Sequence, residues 1–328
     1  MEKEKNNSEN VDLKKELDEL GLPGVNLQKL LVNHPEMLNS KKKIENLKKE
    51  ASKIGDKTEF NAFELFNLEV QELPKLVEPF FQQTGLAALV GSSDTGKSTF
   101  LRQLSLSIVL KKETFAGFKL NPKHKKVVYV STEDGAINIA HSLRKQIKTI
   151  TNENDDLNLI KNLTFLFDAS EILKSLEKII SKKPVDLIII DAFTDIFTKE
   201  LNANTQVRTF LNKFDILAKK NDCLIVFLHH TGKNTQYKSP SKDSIIGSQA
   251  FEAKMRSVIE IRNKNQNQKE LWILKSNFLD YKFKQKSYVL DFSKELVFSD
   301  SGMRGSKNVK AKSNNTEILK KVLELKDE

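Results

Sequence analysis

The sequence predicts an α/β domain with a mostly parallel central sheet flanked by helices, an antiparallel C-terminal extension and a small N-terminal helical segment. Three observations predict it. From Gly85 onward, apolar runs of strand length alternate with amphipathic stretches of helix length, the βαβα rhythm of a parallel sheet covered on both faces. The first of these strands runs straight into Gly91-Ser92-Ser93-Asp94-Thr95-Gly96-Lys97-Ser98, a complete G-x-x-x-x-G-K-[ST] phosphate-binding loop. After Gly247 the helical period fades and β-rich runs follow one another.

The elements can be justified in order. Residues 1–58 read as a solvated helical or partly disordered segment: Leu13, Leu17 and Leu20 recur at helical spacing until Gly21-Leu22-Pro23-Gly24 breaks the pattern. Asn26 to Val32 and Ser40 to Ile54 repeat that pattern, and a segment rich in Phe and Leu, Phe60 to Phe81, packs on the next domain. That domain, residues 59–302, begins with a strand at Leu86 to Val90 and a helix at Lys97 to Leu110. A strand at Lys126 to Ser131 precedes a helix reaching Thr149, then an edge strand at Leu163 to Phe167 and a helix at Ser170 to Ile180. The strand Val185 to Asp191, the helix Thr205 to Lys220 and the strand Cys223 to Leu228 complete the alternation. Four further strands, Ser257 to Arg262, Leu271 to Lys275, Ser287 to Asp291 and Glu295 to Phe298, extend the sheet in antiparallel fashion. Residues 303–328 read as a polar linker and the start of a helix, with Ile318, Leu319, Val322 and Leu323 at helical spacing.

Composition narrows the class. The chain has 328 residues, 38% of them hydrophobic, and no stretch approaches the ~18 apolar residues of a membrane span. The N-terminus is charged and polar, unlike a secretory signal. The single cysteine, Cys223, lies in an apolar run, so a disulfide framework within the chain and a cysteine-based zinc site are both excluded. These features fit a cytoplasmic protein. A net charge of +10 favours polyphosphate partners of any kind and does not by itself single out DNA.

The loop at Gly91 carries the chemistry. Its glycines let the backbone fold tightly, so that successive amides and a helix N-terminus point at phosphates. Residues Gly91 to Thr99 thus form a cradle for ATP, with Lys97 between the β- and γ-phosphates and the Ser98 hydroxyl on Mg²⁺. The metal also needs a carboxylate, and Asp191 supplies one at the C-terminal tip of an apolar strand, where open parallel sheets bind ligands. A helix N-cap is the plainer reading of Asp191. Ala192 follows it, so a general base must come from elsewhere. Glu133, in Ser131-Thr132-Glu133-Asp134-Gly135 at the end of another strand, would reach the same sheet edge, and Asp134 would cap the following helix. Adjacent strand residues point to opposite sides, so of His229 and His230 one faces the site. His230 is the expected γ-phosphate sensor and His229 a core histidine.

Taken together and in order, GSSDTGKST, YVSTEDG, LIIIDAFTDIF, FLHHTGK, GSQAFEAKMRSV and LKSN resemble the RepA-type hexameric replicative helicases, within the RecA/DnaB-like P-loop ATPases. The likeness covers roughly residues 60–300. It implies a RecA-like fold, a ring with ATP sites shared between neighbouring subunits, DNA-stimulated hydrolysis and a base on the strand next to that of the phosphate loop. It also implies a positive side chain reaching the γ-phosphate from the adjacent subunit. Arg256 matches that position, and Lys275 of Leu274-Lys275-Ser276-Asn277 would be a second γ-phosphate contact. Arg102, Arg144 and Arg208 fall in core helices and Arg304 in the polar tail. The chain departs from the family at Ile246, where an arginine often stands, and in ending inside what resembles the first helix of a further module.

The resemblance therefore implies an ATP-driven DNA motor, a helicase or helicase-like ATPase of a plasmid or mobile element, acting on single-stranded DNA as a homo-oligomer. A recombination or repair ATPase of the RecA/RadA kind, and a regulatory ATPase switch that binds a protein and no DNA, are the alternatives. The irregular, polar segment Lys233 to Ile246 leaves directly from His229-His230, so a DNA contact through Lys233, Tyr237, Lys238 and Lys242 is expected there. A solvated surface loop is the plainer reading.

Overall fold

The structure, a computed structural model, describes residues 59–306 apart from 69, 71, 233, 234, 236, 237 and 248. The expected helices before residue 59 and after 306, and the expected contacts from Lys233 and Tyr237, lie outside the described residues. The chain divides into two units, Met1–Leu73 and Pro74–Glu328. In the first, helix α1 (Ala62–Phe66) opens with a reciprocal cap: Asn61 Oδ1 accepts from the Glu64 amide at 2.9 Å, and Glu64 Oε2 accepts from the Asn61 amide at 3.2 Å.

The second unit is built on one nine-stranded sheet. Two short ribbons accompany it, β1 (Lys75–Val77) with β2 (Phe81–Gln82), and β4 (Thr114–Phe115) with β5 (Phe118–Lys119). The sheet strands are β3 (Gly85–Gly91), β6 (Val127–Ser131), β7 (Leu163–Leu166), β8 (Leu187–Asp191), β9 (Leu224–His230), β10 (Ser257–Asn263), β11 (Gln268–Ser276), β12 (Lys286–Phe292) and β13 (Phe298–Ser306). Their order is β13-β12-β11-β10-β3-β9-β8-β6-β7. Strands β10 to β7 in that order are parallel, and β11, β12 and β13 add on antiparallel to β10 and to one another.

The helices are α2 (Lys97–Val109), α3 (Ala136–Ile150), α4 (Ile172–Ile180), the short α5 (Phe193–Ile196), α6 (Asn204–Lys220), α7 (Gln249–Lys254) and the short α8 (Lys282–Gln285). Strand alternation divides the core between two faces. Ala87 and Leu89 pack with Phe100, Leu101, Leu104 and Ile108 of α2 on one face. Leu86, Ala88 and Val90 pack with Leu176 of α4 and with Val207, Leu211 and Phe214 of α6 on the other. The sheet is therefore buried on both sides, which is why β3 and β8 read as unbroken apolar runs.

Three details differ from the sequence reading. The strand at Ser257 is parallel to β3, with Ser257 opposite Ala87, because the long connection from β9 through α7 is a crossover and not a hairpin. Residues Glu295 and Leu296 form a turn, Leu296 at φ 64°, and the last strand starts at Phe298. That strand runs to Ser306, so Arg304 is no tail residue: it pairs with Asp300 at 3.1 Å and lies over the Tyr288 ring. Cys223 is fully buried, and burial pushes its thiol pKa up to about 12. Among the described residues no helix is long and apolar enough to cross a membrane.

Candidate nucleotide-binding site

The C-terminal ends of the parallel strands meet in register at one edge of the sheet. Gly91 lies opposite His230, and Ser131 lies opposite Asp191. The loop from β3 into α2 folds tightly there. A Cβ on Gly91 would sit 2.5 Å from the Ile261 carbonyl oxygen, so only glycine fits. Gly96 has φ 87° and abuts the Phe298 ring. No side chain caps α2 and its first turn holds no acidic residue, so nothing in the helix competes with an incoming anion for its amides.

Lys97 is buried beneath this loop and donates to the Ser92 carbonyl oxygen at 2.8 Å. Burial lowers its pKa, while the carboxylates of Glu133, Asp191 and Asp94 pull it back up. The Thr95 hydroxyl donates to the same carbonyl at 3.0 Å. The cradle is thus closed around a desolvated cation.

Asp191 sits at the tip of β8, 2% exposed, with Tyr129 Oη donating to its Oδ2 at 2.6 Å. Burial raises its pKa, and the nearby Tyr129 and Ser98 hydroxyls moderate that rise. Its other oxygen, Oδ1, is buried without a hydrogen-bond partner. An orphaned hard oxygen beside the Ser98 hydroxyl fits Mg²⁺, which takes one or two protein oxygens and completes its shell with phosphates and water. No cluster of three or more His, Cys, Asp or Glu side chains exists among the described residues, so a metal held by protein ligands alone has no other place there.

Glu133 is half-exposed on the turn after β6, and its Oε1 lies 3.5 Å from His230 Nε2 at the end of β9. The strand that carries it follows β3 in the chain but stands beyond β9 and β8 in the sheet. The sequence reading of adjacent strands is corrected on this point, and it is the turn after Ser131 that brings Glu133 to the cradle. Asp134 does not cap α3, whose N-cap is Gly135 with no side-chain bond. It pairs instead with the buried Arg102 of α2 at 3.1 Å, fastening the Glu133 turn to the helix of the phosphate loop. His229 points the other way, packed against Phe193 and Phe251, with Nε2 2.8 Å from the Ile246 carbonyl oxygen.

Arg256 and Lys275 lie elsewhere. Arg256 precedes β10, and its amide donates to the Leu86 carbonyl oxygen at 2.7 Å, near the start of β3. At ~3.3 Å per residue, Leu86 stands about 16 Å from the end of β3, so Arg256 cannot serve its own cradle. Its side chain is exposed and has no ion-pair partner among the described residues. Lys275 of β11 lies opposite Val258 and is paired with Glu252 at 3.1 Å. The site residues missed in the sequence are Tyr129, Arg102 and Thr132, whose hydroxyl donates to the Asp191 carbonyl oxygen at 2.8 Å. The position of Tyr129, two residues before Ser131 on the same strand face, was the available signal.

The family described as "AAA domain" matches residues 50–236, from before the first sheet strand through the His229-His230 end of β9. The chain belongs to this AAA-domain family. Among solved structures, it is similar to the ATPase domain of a helicase, at 12% identity and a TM-score of 0.53, over 73% of this chain and 95% of that one. No curated protein matches the chain. The fold of this AAA-domain protein is thus that of a RecA-like P-loop ATPase, with the cradle, Asp191, Glu133 and His230 on one edge of the sheet.

Proposed function

We infer that this AAA-domain ATPase is a DNA motor, a RepA-like replicative helicase or helicase-like ATPase of a plasmid or mobile element, working in the cytoplasm on single-stranded DNA. One observation carries the reading. The chain holds half of a hydrolytic site at one sheet edge and an unpaired, exposed Arg256 at the other, beyond reach of its own cradle. Two such edges complete each other only between neighbouring copies, and a ring of six would leave none unused.

Within each shared site, Lys97 and the amides of the α2 N-terminus bind the phosphates of ATP. Ser98 and Asp191 would hold Mg²⁺, which supplies charge neutralisation on the β- and γ-phosphates when bound. Glu133 takes the proton of the attacking water, with His230 beside it as the group that senses the γ-phosphate. Arg256 of a neighbouring copy stabilises the charge that develops on the transferred phosphoryl group. The segment between β9 and α7 follows His230 directly and carries Lys238 and Lys242 toward DNA.

The ATPase rate with and without single-stranded DNA tests this reading, followed by unwinding of a forked duplex. Stimulation of tenfold or so is the expected result. A rate indifferent to DNA, with no DNA binding, would favour the protein-directed regulatory switch. Stimulation without unwinding, on filaments instead of rings, would favour a recombination ATPase.

A further inference from the structure

On α7, one carboxylate holds two lysines from two different elements. Glu252 places Oε1 3.1 Å from Lys275 Nζ and Oε2 3.6 Å from Lys242 Nζ. Lys275 also donates to the main-chain oxygen of Glu252 at 2.9 Å, so it is docked on α7. Lys242 belongs to a single 3₁₀ turn, Lys242–Ser244, in the segment between β9 and α7. The Glu252 side chain is only 16% exposed, whereas that of Lys242 is 53% exposed and free to leave.

A largely buried carboxylate tolerates the loss of one cation while the other remains, but not of both, because an unpaired buried charge is costly. Each lysine is also, on the functional reading above, a phosphate contact: Lys242 for DNA and Lys275 for the nucleotide of a neighbouring copy. We propose that Glu252 is a one-at-a-time latch, making these two phosphate contacts compete within each subunit. Glu252 is then a positioning residue for Lys275. When Lys275 moves to the neighbour's γ-phosphate, Glu252 keeps Lys242 and the grip on DNA weakens. When Lys242 engages DNA, Glu252 keeps Lys275 docked. By linkage the effect is reciprocal and of one size in both directions. A motor needs such an alternation of grip and nucleotide contact, and α7 lies directly between the loop and Arg256 in the chain.

The test rests on the shared-site reading and separates the two. Steady-state ATPase is measured on the full chain without DNA. Glu252→Gln frees Lys275 and should lower KM for ATP by about fivefold or more, the usual size of a coupling between sites. Lys242→Gln leaves Glu252 to Lys275 alone and should raise KM by a similar factor, although no DNA is present and Lys242 touches no nucleotide. A surface lysine or a simple DNA contact would not move KM there. The same variants are then compared for single-stranded DNA affinity with and without a non-hydrolysable ATP analogue. The analogue should favour DNA binding at least about fivefold more in Glu252→Gln than in the wild type. KM shifts in the same direction for both variants, or none in Lys242→Gln, would overturn the latch. Should Glu252→Gln fail to fold, the Lys242→Gln measurement decides alone. If Lys275→Ala leaves KM unaltered, it is the shared site that fails, and with it the role given to Lys275.

Discussion

Tyr129 Oη and Asp191 Oδ2 lie 2.6 Å apart in a site where both side chains are buried, so the carboxylate at the tip of β8 is held by a phenol from the next strand. Only one of its two oxygens is satisfied in this way; Oδ1 has no hydrogen-bond partner. The arrangement is a compromise between folding and function. Burial raises the pKa of Asp191, which means that the folded chain binds its proton more readily than the unfolded chain does. Stability from this group therefore falls as pH rises above the ordinary carboxylate value, and the penalty is fully present at neutral pH.

Asp191→Asn should accordingly raise the melting temperature of the nucleotide-free protein at pH 7, since an amide oxygen still accepts from Tyr129 without a buried charge. The same variant should lose Mg²⁺-dependent ATPase activity by two or more orders of magnitude, because the metal's carboxylate is gone. Calorimetry and a Mg²⁺ titration of turnover check the two halves. A destabilised variant with near-normal turnover would show that Asp191 is a structural cap.

Glu133 and Asp134 are neighbours with different tasks, and substitution separates them. Glu133→Gln should keep ATP binding and slow turnover roughly 10²-fold, the usual worth of a general base. Asp134→Asn should act through Arg102, weakening the tie between the Glu133 turn and α2 and costing about 1–3 kcal/mol of stability. Denaturant unfolding together with single-turnover rates distinguishes them. An active Glu133→Gln beside a stable but dead Asp134→Asn would exchange the two assignments.

His229 gives the fold a pH dependence of the opposite sign to that of Asp191. Burial lowers its pKa to about 4, partly offset by its bond to the Ile246 carbonyl oxygen. Between that value and about 6.5 the unfolded chain takes up a proton that the folded chain refuses. The stabilisation is complete above about 6.5 and is lost as pH falls, by about 2 kcal/mol at pH 5. His229→Phe should pack against Phe193 and Phe251 and flatten this part of the profile. Urea unfolding at pH 7 and pH 5 makes the comparison, and parallel profiles for the two proteins would remove His229 as the source.

The legible parts of this protein are those whose signal is local. Gly91 to Ser98 announces itself through spacing, and Asp191 through the apolar run before it, because one strand and its tip are contiguous in the chain. Tyr129 was not legible, since a tyrosine inside an apolar strand reads as core until the strand beside it is known. Arg102 with Asp134, and Lys275 with Glu252, are pairings across the fold, and hydrophobic periodicity carries no information about which charges will meet. The direction of β10 fell to the same limit: its β-rich run fixes a strand, but only the path of the crossover through α7 makes it parallel to β3. The β4–β5 ribbon is too short to show a period at all.

Sharing of the site between copies has a decisive test in mixed subunits. Lys97→Ala removes the cation that closes the phosphate cradle and should abolish ATP binding or hydrolysis on its own. Arg256→Ala leaves every cradle intact, since its side chain belongs to the opposite end of β3, yet should lower turnover by about 10³-fold. Each variant alone is therefore dead, for different reasons. Where a Lys97→Ala subunit presents its intact Arg256 to the intact cradle of an Arg256→Ala subunit, one working site forms. Equal mixtures should recover a measurable fraction of wild-type activity after subunit exchange, and the recovery should follow the fraction of mixed junctions as the ratio is varied. Light scattering confirms co-assembly in the same samples. Co-assembled mixtures that stay inactive at every ratio would mean that Arg256 does not act on a neighbour, whereas an Arg256→Ala variant with normal turnover would remove it from the chemistry altogether.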